Sequence, residues 1–178
     1  MGGGLALDFA LTRPSQVKAL IMVDAGPTGL ELDVPRPAKF DEAEKAYEAG
    51  DLDLTAELET QIWFDGIGRT SAQVNQAMRQ LVYEMDRMAL AHDAKRLGKR
   101  LPDTPVPAVG RLGELHVPVL VIVGMHDTPY MQAAASYIVD KVPSARKVAI
   151  ADAAHLPNMD QPAEFQRIIA GFLDGLTA

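Results

Sequence analysis

The sequence contains no cysteine. Disulfides and thiolate-held metals are therefore excluded, and the composition suits the cytoplasm. No apolar run approaches the ~18 residues of a membrane-spanning helix. Basic residues are the scarcer charge, 17 Lys and Arg against 24 Asp and Glu, giving a net charge of −7. Nucleic acid is bound through clustered Lys and Arg, so it is not an expected partner, and neither is a membrane. The one basic cluster, Lys95, Arg96, Lys99 and Arg100, reads as a solvated helix end. The opening MGGGLALDFAL lacks the charged start of a signal peptide. No internal repeat is visible.

What is present suffices for a core, with 48% of the 178 residues hydrophobic. Met1–Thr12 reads as a helix with Leu5, Phe9 and Thr12 or Leu11 on one face. Its three leading glycines cost about 1 kcal/mol each against alanine, so the run points to a close backbone approach. Val17–Asp24 is continuously apolar, as expected of a strand buried on both faces in a parallel sheet. Asp24, at its carboxyl end, reads as a turn residue bonding to local backbone.

Residues 28–110 change character. They hold fifteen acidic and ten basic residues and read as all-helical. Phe40–Ala49 forms a short helix closed by Gly50. Leu54, Leu58 and Ile62 recur every four residues in the next, with Asp53 as its N-cap and Gly66 as its stop. Thr70-x-x-Gln73 is a capping-box pattern opening the longest helix. That helix carries Val74, Met78, Leu81, Val82, Met85 and Met88 on one stripe, a pattern that suits the segment's own core. His92 lies near its end, where a cation favours the helix dipole. Pro102, Pro105 and Pro107 make an extended linker. The expected division is an α/β core at 1–27 and 111–178 with a helical insertion at 28–110.

After one helical turn at Val109–Leu115, a second strand, Val117–Val123, stops at Gly124 and presents Asp127 just past its carboxyl end. Thr128-Pro129 suits the start of a helix. A third strand, Lys147–Ile150, leads to a loop holding His155. Asp160 can cap a last amphipathic helix built on Phe165, Ile168, Ile169, Phe172, Leu173 and Leu176. Without the insertion the order is helix, strand, strand, helix, strand, helix, which describes a parallel sheet with right-handed crossovers. Parallel pairing brings Asp127 and His155 together across the 27 residues that separate them. Asp127 then accepts from one imidazole nitrogen, and the other can take a proton. His126 points away from the carboxylate and is not the expected base. The insertion lies over the carboxyl ends of the strands, where open α/β sheets bind ligands. Trp63, Phe64, Met125 and Leu156 are candidate pocket residues.

The stretch VPVLVIVGMHD resembles the penultimate core strand and acid loop of α/β-hydrolase-fold proteins, and AAHLPNMDQPAEF resembles their histidine loop and last helix. Met1-Gly2-Gly3 is similar to the residues that follow the nucleophile in the family's G-x-S-M-G-G elbow, and VKALIMVDA to the next strand. The resemblance implies a truncated α/β-hydrolase fold: a short parallel sheet of about three strands flanked by helices, with a helical cap insertion. It implies Asp127 and His155 as acid and base, and the Met1 backbone amide as an oxyanion donor. It implies a small carboxylic ester or lactone as substrate, with neither metal nor organic cofactor. No G-x-S-x-G occurs in the sequence, and none of Ser15, Ser71, Ser136 or Ser144 sits on an elbow. The expected outcomes are weak or partner-dependent hydrolysis, an inactive association module, or one half of a split hydrolase. The Val17–Asp24 strand lacks a neighbour on one edge, so a homo-oligomer through that edge is expected.

Overall fold

The computed structural model describes residues 2–98 and 106–176. The expectations placed on Met1, Lys99, Arg100, Pro102 and Pro105 concern residues outside that set.

Three parallel strands form one sheet in the order β1-β2-β3: Leu20–Val23, Val119–Gly124 and Ala145–Ile150. Leu20 pairs with Val119 and Val119 with Ala145, so all three strands end at about the same level. The central strand is buried along its entire length. Val119, Val121 and Val123 face one core, with Leu7, Leu11, Met22 and Ile138. Leu120 and Ile122 face the other, with Ile150 and Phe172. Each such side chain contributes roughly 1.5–3 kcal/mol on leaving water, which explains the unbroken apolar run. The edge strands are less buried, and β3 exposes Arg146 and Lys147.

Helix α1 (Gly2–Thr12) packs on β1, and there a Cβ on Gly3 would collide with the Ala25 side chain. Gly3 thus serves the close approach expected of the run, whereas a Cβ on Gly2 would meet nothing and one on Gly4 would make ordinary contact. Strand β1 starts at Leu20 rather than Val17, where the Leu20 amide bonds to the Pro118 carbonyl at 2.9 Å; a 3₁₀ turn occupies Pro14–Gln16 before it. The expected turn at Val109–Leu115 is two 3₁₀ turns, Ala108–Gly110 and Leu112–Glu114.

Between β1 and β2 lie α2 (Lys39–Glu48), α3 (Leu52–Thr60), a π turn at Gln61–Asp65, and α4 (Gln76–Asp93). The caps differ from expectation. Asp51, not Asp53, accepts from the Leu54 amide and starts α3. The Thr70–Gln73 box closes a separate 3₁₀ turn, and Asn75 caps α4 through the Met78 amide. The α4 stripe is not a continuous core either, since Val82 is buried but Leu81, Met85 and Met88 are exposed. After β2 come α5 (Pro129–Lys141), β3, the short α6 (Pro157–Asp160) and α7 (Pro162–Asp174). Thr128 caps α5 as read, whereas Gln161 precedes α7 and Asp160 is committed elsewhere. Among the described residues no helix is long and apolar enough to cross a membrane.

Candidate acid–base site

Strand β2 ends at Gly124, and the loop that follows carries Asp127. This turn requires glycine: a Cβ at position 124 would overlap the carbonyl oxygens of Ala153 and Ala154, in the loop that carries His155. The absent side chain lets the two loops touch, and the Met125 and His126 amides bond to Ile150 and Ala153 carbonyls at 3.0 and 2.9 Å.

His155 Nδ1 lies 2.7 Å from Asp127 Oδ2. Asp127 is fully buried, while the imidazole is about a quarter exposed. The other carboxylate oxygen accepts the Thr128 amide at 2.6 Å. A carboxylate can only accept, so Nδ1 carries the proton and Nε2 is the basic nitrogen. The Trp63 ring lies 4.5 Å from the imidazole, centroid to centroid, and the Trp63 carbonyl accepts the His155 amide at 3.0 Å. The acid–histidine hydrogen bond anticipated from spacing is therefore formed, and a tryptophan of the insertion helps to hold the ring.

Asp24 was read as a turn residue bonding to local backbone. It instead accepts the Gly124 amide of the neighbouring strand at 3.0 Å. Its backbone takes a left-handed φ of 40°, tolerated by Asp better than by most residues. Asp24, Asp127 and His155 bring ligand-type atoms within 4.8 Å of one another. Burial first, and the Asp127 carboxylate second, push the Asp24 carboxyl up to about 9. Asp24 Oδ2 is buried and accepts from no donor, and a protonated Asp24 carboxyl can donate to Asp127. Three of the four carboxylate oxygens already accept N–H groups.

His155 opens onto a cavity of about 400 Å³ walled by Trp63, Val82, Met85, Leu156 and Met159. A second cavity of about 320 Å³ lies against Trp63, lined by Pro35, Phe40, Thr128, Tyr130 and Met131. Of the expected pocket residues, Trp63 and Leu156 meet at His155. Phe64 does not line either space; it is wholly buried against Val74, Val82 and Leu156. Met125 is exposed outside the cavity. His126 bonds through Nδ1 to the Ile67 carbonyl at 2.8 Å, away from the pair.

The sequence profile of the alpha/beta hydrolase fold matches residues 1–162. The chain belongs to the α/β-hydrolase fold family. Among curated proteins it is similar to one from Bacillus subtilis (strain 168), provisionally named a 2-succinyl-6-hydroxy-2,4-cyclohexadiene-1-carboxylate synthase, at 27% identity over 99% of this chain and 64% of that one. Among solved structures it resembles a thermophilic esterase from Thermogutta terrifontis (TM-score 0.65, 22% identity, 99% of this chain and 63% of that one). It also resembles the enol-lactonase from Burkholderia xenovorans (TM-score 0.69, 16% identity, 98% and 63%). At these identities the structures attest the fold. The chain spans a little under two thirds of each of these proteins.

Within this α/β-hydrolase chain, two features of the site escaped the sequence reading. One is Asp24, whose signal was its place at the end of the strand beside β2. The other is Arg69, which joins the insertion to the histidine loop. Its guanidinium bonds to Asp160 at 2.6 Å and to the Phe64, Asp65 and Asp152 carbonyls. Asp160 in turn accepts the Ala154 amide, one residue before His155.

Proposed function

We propose that this chain carries the acid–base part of a hydrolase acting on small carboxylic esters or lactones, with residues 28–110 as the cap over the site. The observation that carries this reading is the 2.7 Å bond from His155 Nδ1 to buried Asp127 at the carboxyl ends of adjacent parallel strands, facing a cavity. Asp127 fixes the tautomer and stabilises the imidazolium that forms. Nε2 takes the proton of an attacking hydroxyl and later returns it to the leaving alcohol. The names of the esterase and enol-lactonase neighbours agree with an acyl-oxygen substrate. The carboxylate in the name of the Bacillus subtilis relative suits this chain less well. The cavity on His155 carries Glu59 and Asp86, and no Lys or Arg is among its lining.

The attacking hydroxyl has no G-x-S-x-G motif in these 178 residues. It is expected from a residue before Met1 in a longer chain, or from a second polypeptide. Assayed with p-nitrophenyl esters, the 178-residue chain alone should turn over slowly at best. With the nucleophile present, His155→Ala should lower kcat by about 10²–10⁴-fold, the usual worth of a general base. An unchanged rate in that variant would remove the pair from the mechanism. The missing elbow motif favours a second reading, a non-catalytic association module. It predicts neither turnover nor a covalent fluorophosphonate adduct under any of these conditions.

A further inference from the structure

One short segment of the insertion, residues 61–69, bonds to both loops of the acid–base pair. It opens with the π turn Gln61–Asp65, a helix form frequent at functional sites. The last carbonyls of a helix have no partner within it. Here the Trp63 carbonyl goes straight to the histidine loop and accepts the His155 amide at 3.0 Å. The Phe64 and Asp65 carbonyls accept Arg69 at 2.8 and 2.7 Å. The same guanidinium reaches the histidine loop through the Asp152 carbonyl and Asp160, and Asp160 accepts the Ala154 amide at 3.1 Å.

The acid loop is held by the middle of the segment. The Ile67 amide donates to the His126 carbonyl at 2.6 Å, and His126 Nδ1 donates back to the Ile67 carbonyl at 2.8 Å. His126 is the residue before Asp127. Gly66 stands between these contacts with a φ of 76°. A Cβ there would lie 2.5 Å from the His126 carbonyl oxygen and 2.7 Å from the Ala154 side chain, so it would strike both loops at once. Asp65 is buried and fastens the segment to α4 through Arg79.

We propose that residues 61–69 are a strap that sets the placement of the Asp127 loop against the His155 loop, with Gly66 and Arg69 as positioning residues. The insertion then assembles the acid–base pair as well as covering it. A misplacement of about 1 Å can cost about 10²-fold in rate. That consequence rests on the hydrolase reading; the effect on the pair does not.

Histidine tautomers report the strap without catalysis. A carboxylate and a carbonyl can only accept, so His155 and His126 are both held as Nδ1–H, whereas a neutral histidine in water favours Nε2–H. Long-range ¹H–¹⁵N spectra of the ¹⁵N-labelled full chain at about pH 8 should show His155 in the Nδ1–H form by about tenfold or more, as a bond to a charged group allows. Exposed His92 and His116 serve as references. Gly66→Ala should return His126 and His155 toward the distribution in water, a change of about tenfold for His155. Gly50→Ala brings the same strain, at a φ of 77°, with nothing near the added Cβ, and should leave both histidines unmoved. Arg69→Met combined with Asp160→Asn removes a buried ion pair whole, which a fold tolerates better than the loss of one partner. It should release His155 while His126 stays bonded to Ile67, and it decides alone if Gly66→Ala does not melt cooperatively. Histidines that keep Nδ1–H in these folded variants would show that the contacts only stabilise, and would overturn the proposal. With the nucleophile supplied, Gly66→Ala should lower kcat with KM little changed. Released histidines in a chain whose parent hydrolyses no ester uphold the strap and count against the hydrolase reading. Unmoved histidines beside ester turnover do the reverse.

Discussion

Asp24 and Asp127 stand at the ends of neighbouring strands, and only the protonated form of Asp24 can donate to Asp127. An unfolded aspartate releases its proton near 4, whereas Asp24 in the fold holds it up to about 9. The folded chain binds more protons throughout that window. The contribution of Asp24 to stability is therefore full below pH ~4 and is lost as pH rises to about 9. Asp24→Asn keeps an oxygen for the Gly124 amide, places N–H where the proton sat, and suits the left-handed φ. Its stability advantage over the wild type should be small near pH 4 and should widen up to pH 9, as read by thermal melts in matched buffers. Parallel pH profiles would mean that Asp24 is ionised in the fold. This residue also shows the reach of sequence reading. Asp127 and His155 were legible because each follows a buried apolar run at a fixed offset. Asp24 follows one too, but only strand order reveals that its carboxyl meets Asp127 and not a local amide.

At the level of elements, the insertion and the histidine loop are joined by a buried ion pair. The Arg69 and Asp160 side chains are 8% and 4% exposed, and their partners are 91 residues apart in sequence. No periodicity or capping rule links positions so distant, which is why Asp160 was read as a helix cap. The same holds for Arg79, which bridges Glu57 and Asp65 from α4. Some local chemistry was visible, the Thr128 cap and the continuous apolar β2 run among it, because the signal lies in neighbouring residues; the α3 and α4 caps, Asp51 and Asn75, were missed. Asp160→Asn leaves the Arg69 charge buried without its counter-charge and should cost about 3–5 kcal/mol. Arg36→Gln breaks a pair with Asp41 whose side chains are 56% and 61% exposed, and it should cost under about 1 kcal/mol. Urea denaturation midpoints compare the two directly. Similar costs would mean that the Arg69 contact adds nothing beyond a surface pair, and that the three carbonyls it bonds are satisfied by water.

For the whole molecule, the sheet itself sets the expectation. Strand β1 pairs with β2 on one side only. The Leu20 and Asp24 amides point to β2, where they bond to Pro118 and Ile122. By the alternation of a strand, the amides of Ile21 and Val23 face the other edge. An apolar edge of this kind recruits another strand. When the 178-residue chain is purified by itself, sedimentation equilibrium at micromolar concentration should show self-association. Ile21→Pro removes one outward donor and no bond to β2, so it should shift the population toward monomer. A polypeptide that supplies the serine elbow and pairs with β1 should compete with self-association, and esterase activity should rise in step with the loss of the dimer. A chain that is monomeric alone, and that gains activity with no change in mass, would place the nucleophile somewhere other than beside β1.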